Sequence, residues 1–368
     1  MLMRWNWQKV DWPDFAYEVS ALEAFEAAFL KESGVIIGAF RHLDEDAKNQ
    51  LKIDLISTEA LKTSEIEGEF LDRASLQSSI RRQFGLQADT RRSSPGEEGI
   101  SEMMVHLYRT FDEPLRHETL FAWHRMLTNG RRDLKDIGRY RSHEEAMQVV
   151  SGSVHAPRIH FEAPPSDQMQ TQMDAFLTWF NGSRKLSALT RAGIAHLYFV
   201  CIHPFEDGNG RIGRAIAEKA IAQGIGQPSL TALAYQIEKQ RKVYYDALEA
   251  ANKTNEITSW LTYFAAVILD AQKTTEARIQ CLIDKTKLFD RLRDQLNERQ
   301  KKVLERLFRE GPDGFAGGLS AENYKAMTKT SRATATRDLA QLVELGALIK
   351  TGKLKGTRYW LKLSAPGL

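Results

Sequence analysis

The chain has 368 residues, 42% of them hydrophobic and 27% charged, with only 10 prolines. That is the make-up of a folded protein of two or three domains, and it excludes a disordered or fibrous chain. The net charge of +3 is unevenly placed, because residues 297–368 hold 14 Lys/Arg against 7 Asp/Glu, so any polyanion partner is expected there.

Apolar stretches such as Ala195 to Ile202 are too short to cross a bilayer, and the opening residues lack the apolar core of a secretion signal. Cys201 and Cys281 have no ligand spacing, which argues against a disulfide framework or a structural zinc site. A cytoplasmic protein without membrane contact is expected.

Helical periodicity runs through Ala21 to Leu30, Ala47 to Ile66, Ser101 to Phe111, Gln168 to Trp179, Leu189 to Ile202, Ile212 to Gln223 and Lys239 to Ala251. The fold class is therefore mainly α. The polar run Gly85 to Gly99, broken by Pro95, marks a junction, and Glu310 to Ser320 marks a second. Between Asp136 and Pro165 the helical period fails. Gln148 to Val150 and Arg158 to Phe161 read as two short strands, with Ser151-Gly152-Ser153 in the loop between them.

The run from His203 to Arg214, HPFEDGNGRIGR, follows one apolar helix and opens another. Gly208 and Gly210 permit a tight turn with free backbone N–H groups, and a helix starting near Asn209 aims its positive end at that turn. Arg211 and Arg214 lie on neighbouring faces of the first turns, where both can bind an oligophosphate. His203 titrates near neutrality and can take a proton from an attacking hydroxyl. Asp207 is a hard oxygen ligand suited to Mg²⁺ beside phosphates. A base, a metal ligand, an anion cradle and two arginines meet the needs of phosphoryl or nucleotidyl transfer.

This run resembles the signature of the Fic (filamentation induced by cAMP) family at every fixed position, and the resemblance extends over roughly Leu115 to Ala271. It implies a Fic-type helical core with a β-hairpin flap, in which Gly138 to Arg141, the hairpin and Pro164-Pro165 align a target polypeptide by strand addition. It also implies a protein adenylyltransferase. ATP would be the substrate and Mg²⁺ the metal; His203 would be the base and Asp207 the metal ligand. Gly208, Asn209, Gly210, Arg211 and Arg214 would hold the phosphates, and Tyr244 and Asn252 would contact adenine. Phe205 would anchor the loop in the core, and pyrophosphate would leave. The acceptor would be a Ser, Thr or Tyr hydroxyl of a target protein or of the chain itself.

Upstream, Thr63 to Gly68 is similar to the family's inhibitory motif, which implies that Glu67 reaches Arg214 and restrains the enzyme. The aromatic-rich opening, with Trp5, Trp7, Trp12 and Phe15, resembles a region often attached to such proteins and reads as packing. In the tail, helices over Arg299 to Phe308, Ser320 to Thr328 and Ser331 to Leu345 precede strands at Ala347 to Lys350 and Thr357 to Leu363. That order resembles a winged helix, with Thr330 to Leu339 for recognition and Lys353, Lys355 and Arg358 in a basic wing, and it makes DNA a candidate partner.

The resulting organisation is an N-terminal segment over 1–90, a Fic core over 91–290 and a winged-helix-like domain over 291–368, compatible with a homo-oligomer. A nucleotide-sensing DNA-binding regulator is the alternative of another class. Removal of AMP, or transfer of another phosphate-containing group, is the alternative within the fold; Gly210 favours the AMP-donating orientation of ATP.

Overall fold

A computed structural model describes residues 4–363 except 154–155, 230, 312–313 and 316. The tip of the hairpin and part of the second expected junction thus lie outside the described residues. In chain order the helices are α1 (Ser20–Arg41), α2 (Glu45–Ile66), α3 (Arg73–Gln83), α4 (Pro95–Arg109), α5 (His117–Leu127), α6 (Met169–Gly182), α7 (Ala188–Ile202), α8 (Asn209–Ile225), α9 (Leu233–Lys239), α10 (Arg241–Ala251), α11 (Thr258–Arg291), α12 (Glu298–Arg309), α13 (Ala321–Thr328) and α14 (Arg332–Glu344). The strands are β1 (Gln148–Ser153) and β2 (Ala156–Glu162), then β3 (Leu348–Thr351) and β4 (Arg358–Leu361). The fold is mainly helical with a small two-stranded hairpin, as the periodicity indicates.

The chain forms two compact units, residues 1–34 with 52–273 and residues 35–51 with 274–368. The first is organised around α7 and α8, which are buried along nearly their whole lengths. A helix buried on all sides has no polar face to display, which is why Ala188 to Ile202 is apolar with little amphipathic contrast. The outer helices carry conventional start signals. Ser94 and Glu97 close a capping box on α4 with Pro95 in its first turn, so this helix begins inside the polar run that the sequence marks as a junction.

The N-terminal aromatics pack against this core. Trp5 meets Phe161 of β2 edge-on at 5.4 Å, and Trp12 meets Tyr198 of α7 at 5.1 Å. Asn6 donates its backbone N–H to the carbonyl of Asn252 at 2.8 Å, so the opening segment also supports the end of α10.

Two expectations are corrected. Ser151, Gly152 and Ser153 are not a loop: they pair with Arg158, Pro157 and Ala156 in an antiparallel ladder, so the backbone hydrogen bonding of the strands outweighs the loop-like Ser-Gly-Ser composition. The single helix expected over Lys239 to Ala251 is broken at Gln240, whose backbone (φ −123°, ψ 32°) leaves the helical region, so Lys239 ends α9 and Arg241 begins α10.

The second unit has its own apolar core, in which Leu288, Leu292 and Leu296 join Val303, Leu304, Tyr324, Leu339 and Tyr359. Three helices, α12 to α14, are followed by the β3–β4 hairpin, and Leu319 bridges Tyr359. The buried carboxylate of Asp338 ties these helices by accepting from Arg299 and from the Tyr324 hydroxyl, both at 2.9 Å. Among the described residues no helix is long and apolar enough to cross a membrane.

Candidate functional site

The segment between α7 and α8 is held by its own side chains. His203 caps α7 in the left-handed region (φ 53°), a strained position for a residue with a Cβ, and its carbonyl accepts from Arg141 Nε at 2.8 Å. Arg141 also donates its backbone N–H to Pro204, so this buried arginine braces the turn from the segment that precedes the hairpin. Phe205 is fully buried and stacks on His124 at 4.3 Å, in the anchoring position the sequence suggests. Asn209 has both ends of its side-chain amide on the Phe205 backbone, at 2.8 and 3.0 Å. That amide shapes the loop, and what Asn209 can offer an anion is its backbone N–H in the first turn of α8.

His203 Nδ1 lies 3.3 Å from the Val200 carbonyl, which fixes the proton on Nδ1 and leaves Nε2 as an acceptor. Burial pushes the imidazole down to about 4, against the opposing pull of the Val200 carbonyl, so at neutral pH it is uncharged and able to accept a proton. Asp207 is half-buried. Burial alone would raise its carboxyl, but Arg211, the Gly208 N–H and Arg131 outweigh it and hold the group below its ordinary range. The contacts are Oδ2 to Arg131 at 2.7 Å, Oδ1 to the Gly208 N–H at 2.6 Å and Oδ1 to Arg211 at 3.6 Å. Gly208 supplies this turn with φ 80°.

Both arginines of the run are buried and face acids from the segment that follows α2. Arg211 Nη1 lies 2.6 Å from Glu69 Oε2. Arg214 Nη2 lies 2.7 Å from Glu67 Oε1, while its Nε donates to the Thr63 hydroxyl at 2.7 Å and its Nη2 to the Thr63 carbonyl at 2.9 Å. Burial would lower the Arg214 guanidinium, but Glu67 reverses this and holds it fully charged. Its Nη1 and the Nε of Arg211 have no partner. Two buried cationic donors without acceptors are costly, and both stand ready for an anionic ligand. Gly210 is the close approach here, since a Cβ would fall 2.1 Å from Glu67 Oε1.

A cavity of about 470 Å³ brings Glu67, His203, Gly210, Arg214, Tyr244 and Asn252 together. Tyr244 is buried with its hydroxyl 2.7 Å from His196 Nε2, so it offers the cavity its ring. Asn252 Nδ2 lies 3.4 Å from the His160 carbonyl, and its buried Oδ1 has no partner. Tyr245, the other member of the aromatic pair, is partly exposed and donates to the Ile66 carbonyl at 3.3 Å. Arg131 and Glu69 carry no functional signal in the sequence, and Arg141 only that of the flap region, because each reaches the run only through tertiary packing.

Residues 114–221 match the Fic/DOC family, and residues 5–86 match a domain of unknown function (DUF4172). The chain is 27% identical over 196 residues to the protein adenylyltransferase Fic of Nematostella vectensis, covering 52% of this chain and 40% of that protein. It is 34% identical over 97 residues to the protein adenylyltransferase Fic of Culex quinquefasciatus, covering 26% of this chain and 18% of that protein. It thus spans less than half the length of these curated relatives. In fold it is similar to the crystal structure of a Fic family protein from Desulfovibrio desulfuricans G20, with a TM-score of 0.51 and 19% identity over 92% of this chain and 95% of that one. A Fic domain containing signaling protein from Bacteroides thetaiotaomicron has a TM-score of 0.52 and 17% identity over 70% of this chain and 98% of its own. With an intact signature run near the end of the matched segment, residues 114–221 form a Fic/DOC family domain, and the chain shares the fold of solved Fic proteins.

Proposed function

We propose that the protein transfers AMP from ATP to a Ser, Thr or Tyr hydroxyl of a target protein, and that Glu67 restrains it. The observation that carries this reading is the sharing of one cavity by an uncharged His203 and a buried, fully charged Arg214 with an unsatisfied donor. His203 Nε2 takes the proton of the attacking hydroxyl. Arg214, Arg211 and the first-turn N–H groups of α8 at Asn209 and Gly210 hold the phosphates, and the missing side chain at Gly210 lets them approach the backbone. Asn252 Oδ1 is an acceptor suited to the exocyclic amine of adenine, beside the Tyr244 ring. The oxygen–α-phosphorus bond forms as the bond to the β-phosphate oxygen breaks, and pyrophosphate leaves. The relatives that bear the name protein adenylyltransferase support this reaction class.

Asp207 would be the residue to hold a magnesium ion: it is an ionised, half-buried carboxylate, and Arg131 and Arg211 are the cationic partners that the ion would replace. Among the described residues no group of three or more His, Cys, Asp or Glu would hold a metal alone, so the ion would be shared with phosphate oxygens. Bound there, it would neutralise charge on the phosphates.

The test is transfer of label from α-labelled ATP to an added protein acceptor. His203→Ala should lower the rate at least about 100-fold, the minimum for loss of a general base, while nucleotide affinity is nearly kept. A variant that retains a tenth of the wild-type rate refutes the role of His203.

A nucleic-acid partner for residues 291–368 rests on a separate observation. The outer face of α14 exposes Arg332, Thr336 and Arg337, and the β3–β4 hairpin exposes Lys350, Lys353 and Lys355. A helix face and a wing of one sign suit the phosphates of duplex DNA.

A further inference from the structure

Three side chains of the hairpin and α10 form a chain of short hydrogen bonds in the wall of the same cavity. Ser151 Oγ lies 2.6 Å from His160 Nε2, and His160 Nδ1 lies 2.6 Å from Glu249 Oε2. All three line the cavity with His203, Gly210 and Arg214. The partners fix the protons. An ionised carboxylate only accepts, so Nδ1 carries the imidazole proton and Nε2 is free to accept from the Ser151 hydroxyl. The His160 hydrogen bond, opposed by slight burial and joined by Arg158 and Lys253, holds the Glu249 carboxyl well below the usual carboxylate range.

His160 sits at a β-bulge, on the same side as Arg158, since both meet Glu249. Val149 pairs with Phe161 and Val150 with Ile159, so His160 is the extra residue of β2. Bulges recur beside active sites, and the backbone carbonyl that this one displaces faces Asn252 Nδ2. A mere fastening between strand and helix is already supplied by Arg158, 3.0 Å from Glu249. What the imidazole adds is the sequence hydroxyl, base, orienting acid that defines an activated nucleophile.

We propose that Ser151 is a nucleophile of this chain, activated by His160 and positioned through it by Glu249, and that it accepts AMP from the ATP bound in the shared cavity. In the step, Ser151 Oγ bonds to the α-phosphorus as the bond to the β-phosphate oxygen breaks. The hydroxyl proton passes to His160 Nε2, and pyrophosphate leaves with the bonding electron pair. Ser151 is exposed at the end of the cavity formed by the hairpin, while Gly210 and Arg214 supply the anion cradle. His203 then serves foreign hydroxyls and His160 serves this one. The AMP-transfer step rests on the function proposed above.

The test uses the full chain carrying Glu67→Gly, Mg-ATP labelled at the α-phosphate, an added protein acceptor and peptide mass spectrometry. Ser151 should carry AMP. His160→Gln should lower that labelling about 100-fold, the least expected of a lost base. His203→Ala should remove label from the added acceptor and leave it on Ser151. Glu249→Ala should lower Ser151 labelling, whereas Arg158→Ala, which removes the fastening and leaves the carboxylate on His160, should keep it. An unlabelled Ser151 in a preparation that labels the added protein overturns the proposal. So does Ser151 labelling that ignores His160→Gln and vanishes with His203→Ala. If no hydroxyl is labelled at all, the AMP-transfer reading fails, and a fluorophosphonate decides the nucleophile separately. There Oγ bonds to phosphorus, fluoride leaves and the proton goes to His160. An adduct on Ser151 that His160→Gln abolishes supports the activated serine, and its absence refutes it.

Discussion

Replacing Glu67 by Gly should release the transferase activity. Glu67 follows the last turn of α2, where Gly68 takes φ 87° and Glu67 and Gly68 donate back to the carbonyls of Ser64 and Glu65. This ending directs the carboxylate at Arg214, to which it makes one charge-assisted bond of 2.7 Å, and lays its oxygen over Gly210. On the function proposed above, the site that a terminal phosphate of ATP would use is thus filled from within the molecule. The carboxylate keeps 28% of its surface in solvent, so its hold is that of one partly screened bond. A hydrogen bond to a charged group contributes about 1.5–3 kcal/mol. At 1.4 kcal/mol per decade, its loss shifts the terminal phosphate of already bound ATP into the cradle by about 10- to 100-fold, a gain that saturation with ATP does not erase.

The assay is the initial rate of label transfer from α-labelled ATP at saturating Mg-ATP, with nucleotide affinity measured on the same preparations. Glu67→Gly should raise the rate by about that factor, unless another step becomes limiting within it. Glu67→Gln keeps the size of the side chain but not its charge and should fall between the two. Arg214→Ala in the Glu67→Gly background should cancel the gain, because both groups act through the same guanidinium. Equal rates for wild type and Glu67→Gly at saturating Mg-ATP would refute the restraint and leave His203 in its proposed role.

Two further outcomes follow from other parts of the structure. Glu59 of α2 and Glu218 of α8 are buried together; burial pushes Glu59 up to about 7, against its hydrogen bonds to Glu218 and Ala234, and pushes Glu218 well above its ordinary value. The folded state therefore holds a proton that the unfolded chain releases near 4.5, and the pair's stability is full below that pH and falls as pH rises toward 7. Glu59→Gln should reduce this slope, since Glu218 remains raised by its own burial, gaining up to about 3 kcal/mol over wild type between pH 5 and pH 8 in urea unfolding, and parallel wild-type and variant curves refute it. In the second unit, deletion of residues 297–368 would strip Leu288, Leu292 and Leu296 of their packing partners, so charge removal is the better probe of DNA binding. Arg332→Ala with Arg337→Ala should weaken binding to duplexes of any sequence and lower the slope of log affinity against log salt by about one for each phosphate no longer neutralised; unchanged binding would refute this surface.

How much could be read in advance follows from where the partners lie in the chain. The run from His203 to Arg214 was legible because base, acid, glycines and arginines are consecutive, so local geometry alone makes them neighbours. Thr63 and Glu67 are likewise spaced to share one helix end, and only their target, Arg214, is distant. The opposite holds for the groups that tune these residues. Arg131 reaches Asp207 across 76 residues, Glu69 reaches Arg211 across 142 and Arg141 reaches the His203 carbonyl across 62. Nothing in periodicity or spacing pairs them, because the packing of helices decides which surface arginine meets which carboxylate. Among the elements, α3 was missed because Leu76 and Ile80 are the only apolar residues it buries, and its serines Ser78 and Ser79 fill the rest of that face. The hairpin shows the same limit at finer scale. Residues 158–161, Arg-Ile-His-Phe, look like plain alternation, and alternation would send His160 to the face of Arg158. It does lie there, because both side chains meet Glu249, and what alternation cannot show is that this face lies against α10, 89 residues on, with Ser151 within reach of the same imidazole. Local pattern gives a side chain its face, and tertiary packing gives it a partner.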